Sequence, residues 1–179
     1  NSSVSAVCIR GFLMADQDAA KVKGVVDIVF LLDVTGSMQP CIDALKRNIG
    51  VFIDTLTTKG ANNTNPVKDW RAKVVGYRDF TCDGTPFVDN PFVREGAALK
   101  DQRGGVVADG GGDEAEALLD ALFKIATMPA GAPQDTEDPG KWRHKHAAAR
   151  VVVVFTDASY KSNMTIPEAN GGTWQDVSN

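Results

Sequence analysis

Asp33, Thr35 and Ser37 are the first residues whose types and spacing suggest chemistry. In Asp33-Val34-Thr35-Gly36-Ser37 they fall on alternate positions, so one carboxylate and two hydroxyls come within five residues. Such hard oxygen donors suit Mg²⁺, Mn²⁺ or Ca²⁺ and suit zinc or copper poorly. A plainer role is open to the same residues, because Asp and Ser also cap helices readily.

The flanking elements decide where these oxygens are presented. Val25 to Leu32 is an apolar, largely β-branched run of the kind that forms a strand buried on both faces. After it, Met38, Cys41, Ile42, Leu45, Ile49, Phe52, Ile53 and Leu56 recur at intervals of three and four, the apolar stripe of an amphipathic helix. A buried parallel strand that ends in an aspartate and turns into a helix brings that aspartate to the carboxyl edge of a sheet, where open α/β folds bind ligands. Arg71 to Phe80 reads as a second strand, and Thr85 to Val93, broken by Pro86 and Pro91, as an antiparallel edge strand after a short turn. A modest helix is expected over Glu95 to Gln102. Another is expected to start in the acidic Asp113-Glu114-Ala115-Glu116 and continue through Leu118, Ala121, Leu122 and Ile125. Met128 to Lys141 is a surface loop in this reading. Ala148 to Phe155 is a second fully buried strand that runs into Thr156-Asp157-Ala158, and a short helix is expected near Thr173. Together these elements make an α/β fold with a doubly wound, mostly parallel central sheet, one antiparallel edge strand and helices on both faces, in the Rossmann-like manner. Residues 1–24 read as an N-terminal extension with a possible short helix, and residues 25–179 as the domain.

Composition narrows the function. The 179 residues suit one domain with a proper core, and 43% hydrophobic with 23% charged residues is ordinary for a globular protein. A net charge of -4 argues against a nucleic-acid partner, which usually meets a basic face. No apolar run approaches the length of a membrane span. Cys8, Cys41 and Cys82 form neither a disulfide framework nor a zinc pattern. Asn1-Ser2-Ser3 does not read as a secretory leader; the compartment stays open, with a lean to the cytoplasm.

The segment Asp33-x-Thr35-Gly36-Ser37-Met38 at the end of an apolar strand resembles the D-x-[ST]-G-S-M motif of von Willebrand factor A (vWA) domains, where it begins the metal-ion-dependent adhesion site (MIDAS). The likeness spans roughly Val25 to Val177 and implies that the family's last helix and strand are missing. It implies a site assembled from three loops, holding Mg²⁺ (or Mn²⁺ or Ca²⁺), with Asp157 in Phe155-Thr156-Asp157-Ala158 as the third-loop ligand. The second loop departs from the adhesion pattern: no threonine follows Gly110-Gly111-Gly112, and the first oxygen-bearing side chain is Asp113. That segment, together with Tyr77-Arg78-Asp79, is more similar to the bacterial-type or alpha-kinase-linked branches than to integrins. Asp113 and Asp157 each have a plainer role as a cap or turn residue. With Asp33, Asp113 and Asp157 around one divalent ion the formal charge is -1, which favours retention of the metal and weakens its pull on a partner's carboxylate.

The resemblance implies a non-catalytic module that engages another protein, through an acidic residue completing the coordination. The alternative is a Mg²⁺-dependent phosphotransfer or hydrolase domain on a similar sheet. Its signals are weak, because the chain has no G-x-x-x-x-G-K-[ST] loop, no G-x-S-x-G elbow and no general base paired to a nucleophile. A haloacid-dehalogenase-like site would need an acid at position 35, which is Thr35. Arg78 is expected to pair with a carboxylate near the site, and His144 and His146 to be solvated loop residues.

Overall fold

The computed structural model of the chain describes residues 11–12, 24–58, 67–104, 115–157 and 159–178. In chain order the elements are β1 (Gly11–Phe12), β2 (Val25–Asp33), α1 (Gln39–Thr57), β3 (Asp69–Tyr77), β4 (Phe87–Asp89), α2 (Gly96–Gly104), β5 (Ala115–Glu116), α3 (Leu118–Ala126), β6 (Ala149–Phe155), β7 (Ser159–Tyr160) and α4 (Trp174–Ser178). Short 3-10 turns occupy Gly36–Met38 and Pro167–Ala169.

β2 sits at the middle of a five-stranded sheet of order β1-β6-β2-β3-β4. It pairs in parallel with β3, from Val25 opposite Asp69 to Asp33 opposite Tyr77. On its other side it pairs in parallel with β6, from Val26 opposite Ala149 to Leu32 opposite Phe155. Its largely apolar sequence, interrupted by Asp27, has a direct cause, since both faces are covered. Ile28, Phe30 and Leu32 pack with Ile42, Ile49 and Ile53 of α1 and Leu99 of α2. Val29 and Leu31 point the other way, into a cluster with Leu118, Ala121 and Ile125 of α3. Burying each such side chain is worth about 1.5–3 kcal/mol, so this strand carries much of the hydrophobic stabilisation. Pro40, in the first turn of α1, costs no hydrogen bond there because the N–H it lacks would have no partner in the helix.

Several expectations need correction. Two antiparallel strands edge the sheet rather than one: β4 pairs with β3, and Gly11–Phe12, from the stretch read as an extension, pairs with Val153 and Val152 of β6. The remaining residues of that stretch, including the proposed short helix, lie outside the described residues up to Gly24. α3 begins at Leu118, and Ala115–Glu116 forms β5, paired in parallel with β7. Backbone pairing there overrides the helical preference of an Ala-Glu pair, which is worth only tenths of a kcal/mol. β6 is half-buried along its length rather than fully buried, and on its outer edge β1 pairs with Val152 and Val153.

The carboxyl ends of β2, β3 and β6 share one edge because the three strands are parallel. From β2 the chain passes through α1 to β3 on one side, and it later returns to β6 on the other. Asp33, the last residue of the central strand, lies at that shared edge. Toward the opposite end a pocket is lined by Arg71, Phe92, Arg94 and Glu137. There Asp27, fully buried, accepts bonds from Arg71 Nε (2.9 Å) and Arg143 Nε (2.7 Å) on Oδ1, and from Arg71 Nη2 (2.8 Å) and the Arg143 amide (2.8 Å) on Oδ2. An aspartate inside an apolar strand is tolerable because four donors meet its two oxygens.

Candidate metal centre

The backbone turn after β2 aims its side chains at one carboxylate. The Val34 amide still donates to the Tyr77 carbonyl at 3.0 Å, extending the parallel ladder one residue past the strand. Thr35 is extended (φ -71, ψ 161) and opens the 3-10 turn, with the Met38 amide donating to its carbonyl at 3.0 Å. The Thr35 amide and hydroxyl both donate to Asp33 Oδ1, at 3.0 and 2.7 Å. From the end of β6, Thr156 Oγ1 donates to Asp33 Oδ2 at 3.0 Å. Asp33 and Thr35 are both buried.

Thr35 and Met38 occupy the N-cap positions of the 3-10 turn and of α1, and neither makes a side-chain cap bond. The hydroxyl of Thr35 is spent on Asp33 instead. A hydroxyl that donates one hydrogen keeps lone pairs, so Thr35 and Thr156 can hold Asp33 and face a cation at once.

Burial pushes the Asp33 carboxyl above its ordinary 3.8; the bonds from Thr35 and Thr156 oppose that rise, and the negative charge of Asp157 adds to it. Asp33, Thr35 and Asp157 thus come together as the sequence suggests, with Asp157 itself exposed to solvent. Ser37 lies in the 3-10 turn, and its side chain is outside the described set. Asp113 is also outside the described residues. Two positions after it, Ala115 pairs with Ser159, which is itself two positions after Asp157.

Among the described residues no three His, Cys, Asp or Glu side chains group as metal ligands. Two carboxylates and the neighbouring hydroxyls remain. That set fits a hard divalent cation, because a cation would relieve both the desolvation of Asp33 and its repulsion by Asp157.

Arg78 and Asp79 both make contacts around the site. Arg78 Nε donates to the Val34 carbonyl at 3.4 Å, bracing the turn from its backbone. Asp79 is buried and accepts from the Thr81 amide (2.8 Å) and hydroxyl (2.6 Å) on Oδ1, and from Lys161 Nζ (2.6 Å) on Oδ2. Those bonds, with the Lys161 charge, outweigh the effect of burial and lower the Asp79 carboxyl to about 2. Sequence reasoning missed Thr156 and Lys161. The hydroxyl next to Asp157 at a strand end was a usable signal for the first; Lys161, whose partner lies 82 residues away, offered none. His144 and His146 stack edge to face at 4.9 Å in a loop, with the His146 amide donating to His144 Nδ1 at 3.3 Å.

No protein-family model matches the chain, and no curated protein is significantly similar to it. Function is therefore argued from the site itself.

Proposed function

We propose that this chain is a doubly wound, vWA-type domain that binds one Mg²⁺, Mn²⁺ or Ca²⁺ at Asp33, Thr35, Ser37 and Asp157, with Asp113 as a fifth ligand, and engages another protein there. The reading is that of a non-catalytic interaction module. The observation that supports it best is Asp33: a buried carboxylate at the carboxyl end of the central strand, held by hydroxyls from two loops and under the field of Asp157. A bound cation would supply positive charge and an open coordination position for a partner's acidic side chain.

The protein's own groups do the rest. Thr35 and Thr156 fix both oxygens of Asp33, so its orientation is set before any ligand arrives. Asp157, on the solvent side, contributes the second carboxylate. Asp113, as a third, brings the formal charge with a divalent ion to -1, favouring retention of the cation over attraction of an anionic partner.

Calorimetric titration with Mg²⁺, Mn²⁺ and Ca²⁺ tests the reading, with Asp33→Ala as the control. Wild type should take up one ion per chain and the variant none, while the variant stays folded. Uptake at wild-type affinity by Asp33→Ala would move the site elsewhere. Phosphate or nucleotide hydrolysis in Mg²⁺ that disappears in Asp33→Asn would replace the module with a hydrolase.

A further inference from the structure

The segment carrying Asp157 crosses the end of the sheet as a strap attached on both sides. It leaves β6, which neighbours β2 on one side, with Thr156 bonded to Asp33. It ends at Lys161, whose ammonium meets Asp79 just beyond β3, the neighbour of β2 on the other side. Thr156 and Lys161 therefore make contacts on opposite sides of the end of β2. Adjacent strands lie about 4.8 Å apart, so the strap crosses roughly 10 Å between its two flanking strands. Between those ends Ser159 and Tyr160 pair with Ala115 and Glu116 of β5, so the segment is held at its middle. The Lys161–Asp79 pair fixes its far end on the β3 side. It is itself well built: Lys161 is 19% exposed and Asp79 4%, and Asp79 is oriented by both donors of Thr81.

We propose that Lys161 and Asp79 are positioning residues for the cation site, a latch that holds Asp157 over Asp33. This rests on the cation reading of the site given above. A latch has a distinctive signature in its sign. Lys161 carries a positive charge close to a cation site, so by Coulomb repulsion alone its removal should tighten metal binding. If Lys161 acts by holding the strap, its removal weakens binding, because Asp157 is no longer kept in place. Loss of an outer partner of a ligand typically costs about tenfold or more in metal affinity.

The experiment compares wild type, Lys161→Met, Lys161→Arg and the double variant Asp79→Asn/Lys161→Met, by Mg²⁺ calorimetry and by hydrogen exchange of the Ser159 and Tyr160 amides without metal. The latch predicts about tenfold weaker Mg²⁺ binding in Lys161→Met, no further loss in the double variant, and near wild-type affinity in Lys161→Arg. It also predicts faster exchange at residues 159 and 160 in Lys161→Met. Equal or tighter Mg²⁺ binding by Lys161→Met would overturn the latch while leaving the cation site standing. If wild type itself takes up no cation, the proposed site fails, and unchanged exchange in Lys161→Met would then dispose of the latch separately.

Discussion

Thr156 Oγ1 donates to Asp33 Oδ2 at 3.0 Å across 123 residues of chain. Thr35 occupies the other oxygen, so the carboxylate is gripped from two loops. Thr156→Val keeps the shape of the side chain and removes the donor. Stability should fall by about 1 kcal/mol, the usual net worth of one hydrogen bond. Mg²⁺ affinity should fall about tenfold, since a ligand loses the partner that orients it. Thermal melts and calorimetry on this variant measure both, and an unchanged affinity would make the Thr156 bond purely structural.

Asp113→Thr restores the residue type of the adhesion pattern. Loss of one negative charge from the site should weaken Mg²⁺ by more than tenfold, because contact between unit charges near a protein surface is worth on the order of a few kcal/mol. A stability loss of about 1 kcal/mol or less with unchanged Mg²⁺ affinity would assign Asp113 to capping instead.

Asp79 links stability to acid. Its folded value of about 2 lies below the ordinary 3.8, so the ionised form is favoured by folding. The stabilisation is present in full above about pH 4 and is lost as the pH falls towards 2. After discounting for solvent screening it amounts to about 1–2 kcal/mol. Asp79→Asn should be less stable than wild type at pH 6, and the gap should close by pH 2 in denaturant titrations. A gap that persists at low pH would mean that packing, not charge, is what Asp79 contributes.

Lys73 is fully buried in β3; its ammonium bonds to Asp89 Oδ1 at 2.5 Å and to Met128 Sδ at 3.0 Å, and lies 4.9 Å from the Phe92 ring centre. Burial lowers its pKa below 10.5, against the pull of Asp89. Lys73→Met replaces the charge with a chain of similar shape, and stability should stay within about 1 kcal/mol of wild type or rise. Asp89→Asn leaves the buried charge without its counter-ion and should cost about 3 kcal/mol near neutral pH. Because the folded pKa lies below the unfolded one, the unfolded chain binds more protons in that window, so part of this loss should be regained as the pH rises towards 10.5. A loss in Asp89→Asn that does not depend on pH would contradict a charged Lys73.

What the sequence shows of this architecture depends on whether a signal is local. β2 and the helix after it are legible because each carries its own periodicity, and the turn at Asp33 because its oxygens lie within five residues. The start of β3 at Asp69 rather than Arg71 is a boundary that propensity cannot fix. β1, β5 and β7 are two-residue strands whose existence depends entirely on partners far along the chain. The same holds for Lys161 with Asp79, and for Asp27 with Arg71 and Arg143. Such long-range charge pairs leave no pattern in any short window.

The pairing of residue 26 with residue 149 has a consequence for the chain while it is being made. β2, its most continuous apolar strand, is synthesised early, but one of its two edges has no partner until β6 emerges. Until then a nascent chain exposes an unpaired hydrophobic strand edge, a template for association with other chains. Fragments that stop short of residue 149 should therefore form insoluble material rather than smaller folded units, however complete their β2, α1 and β3 may be.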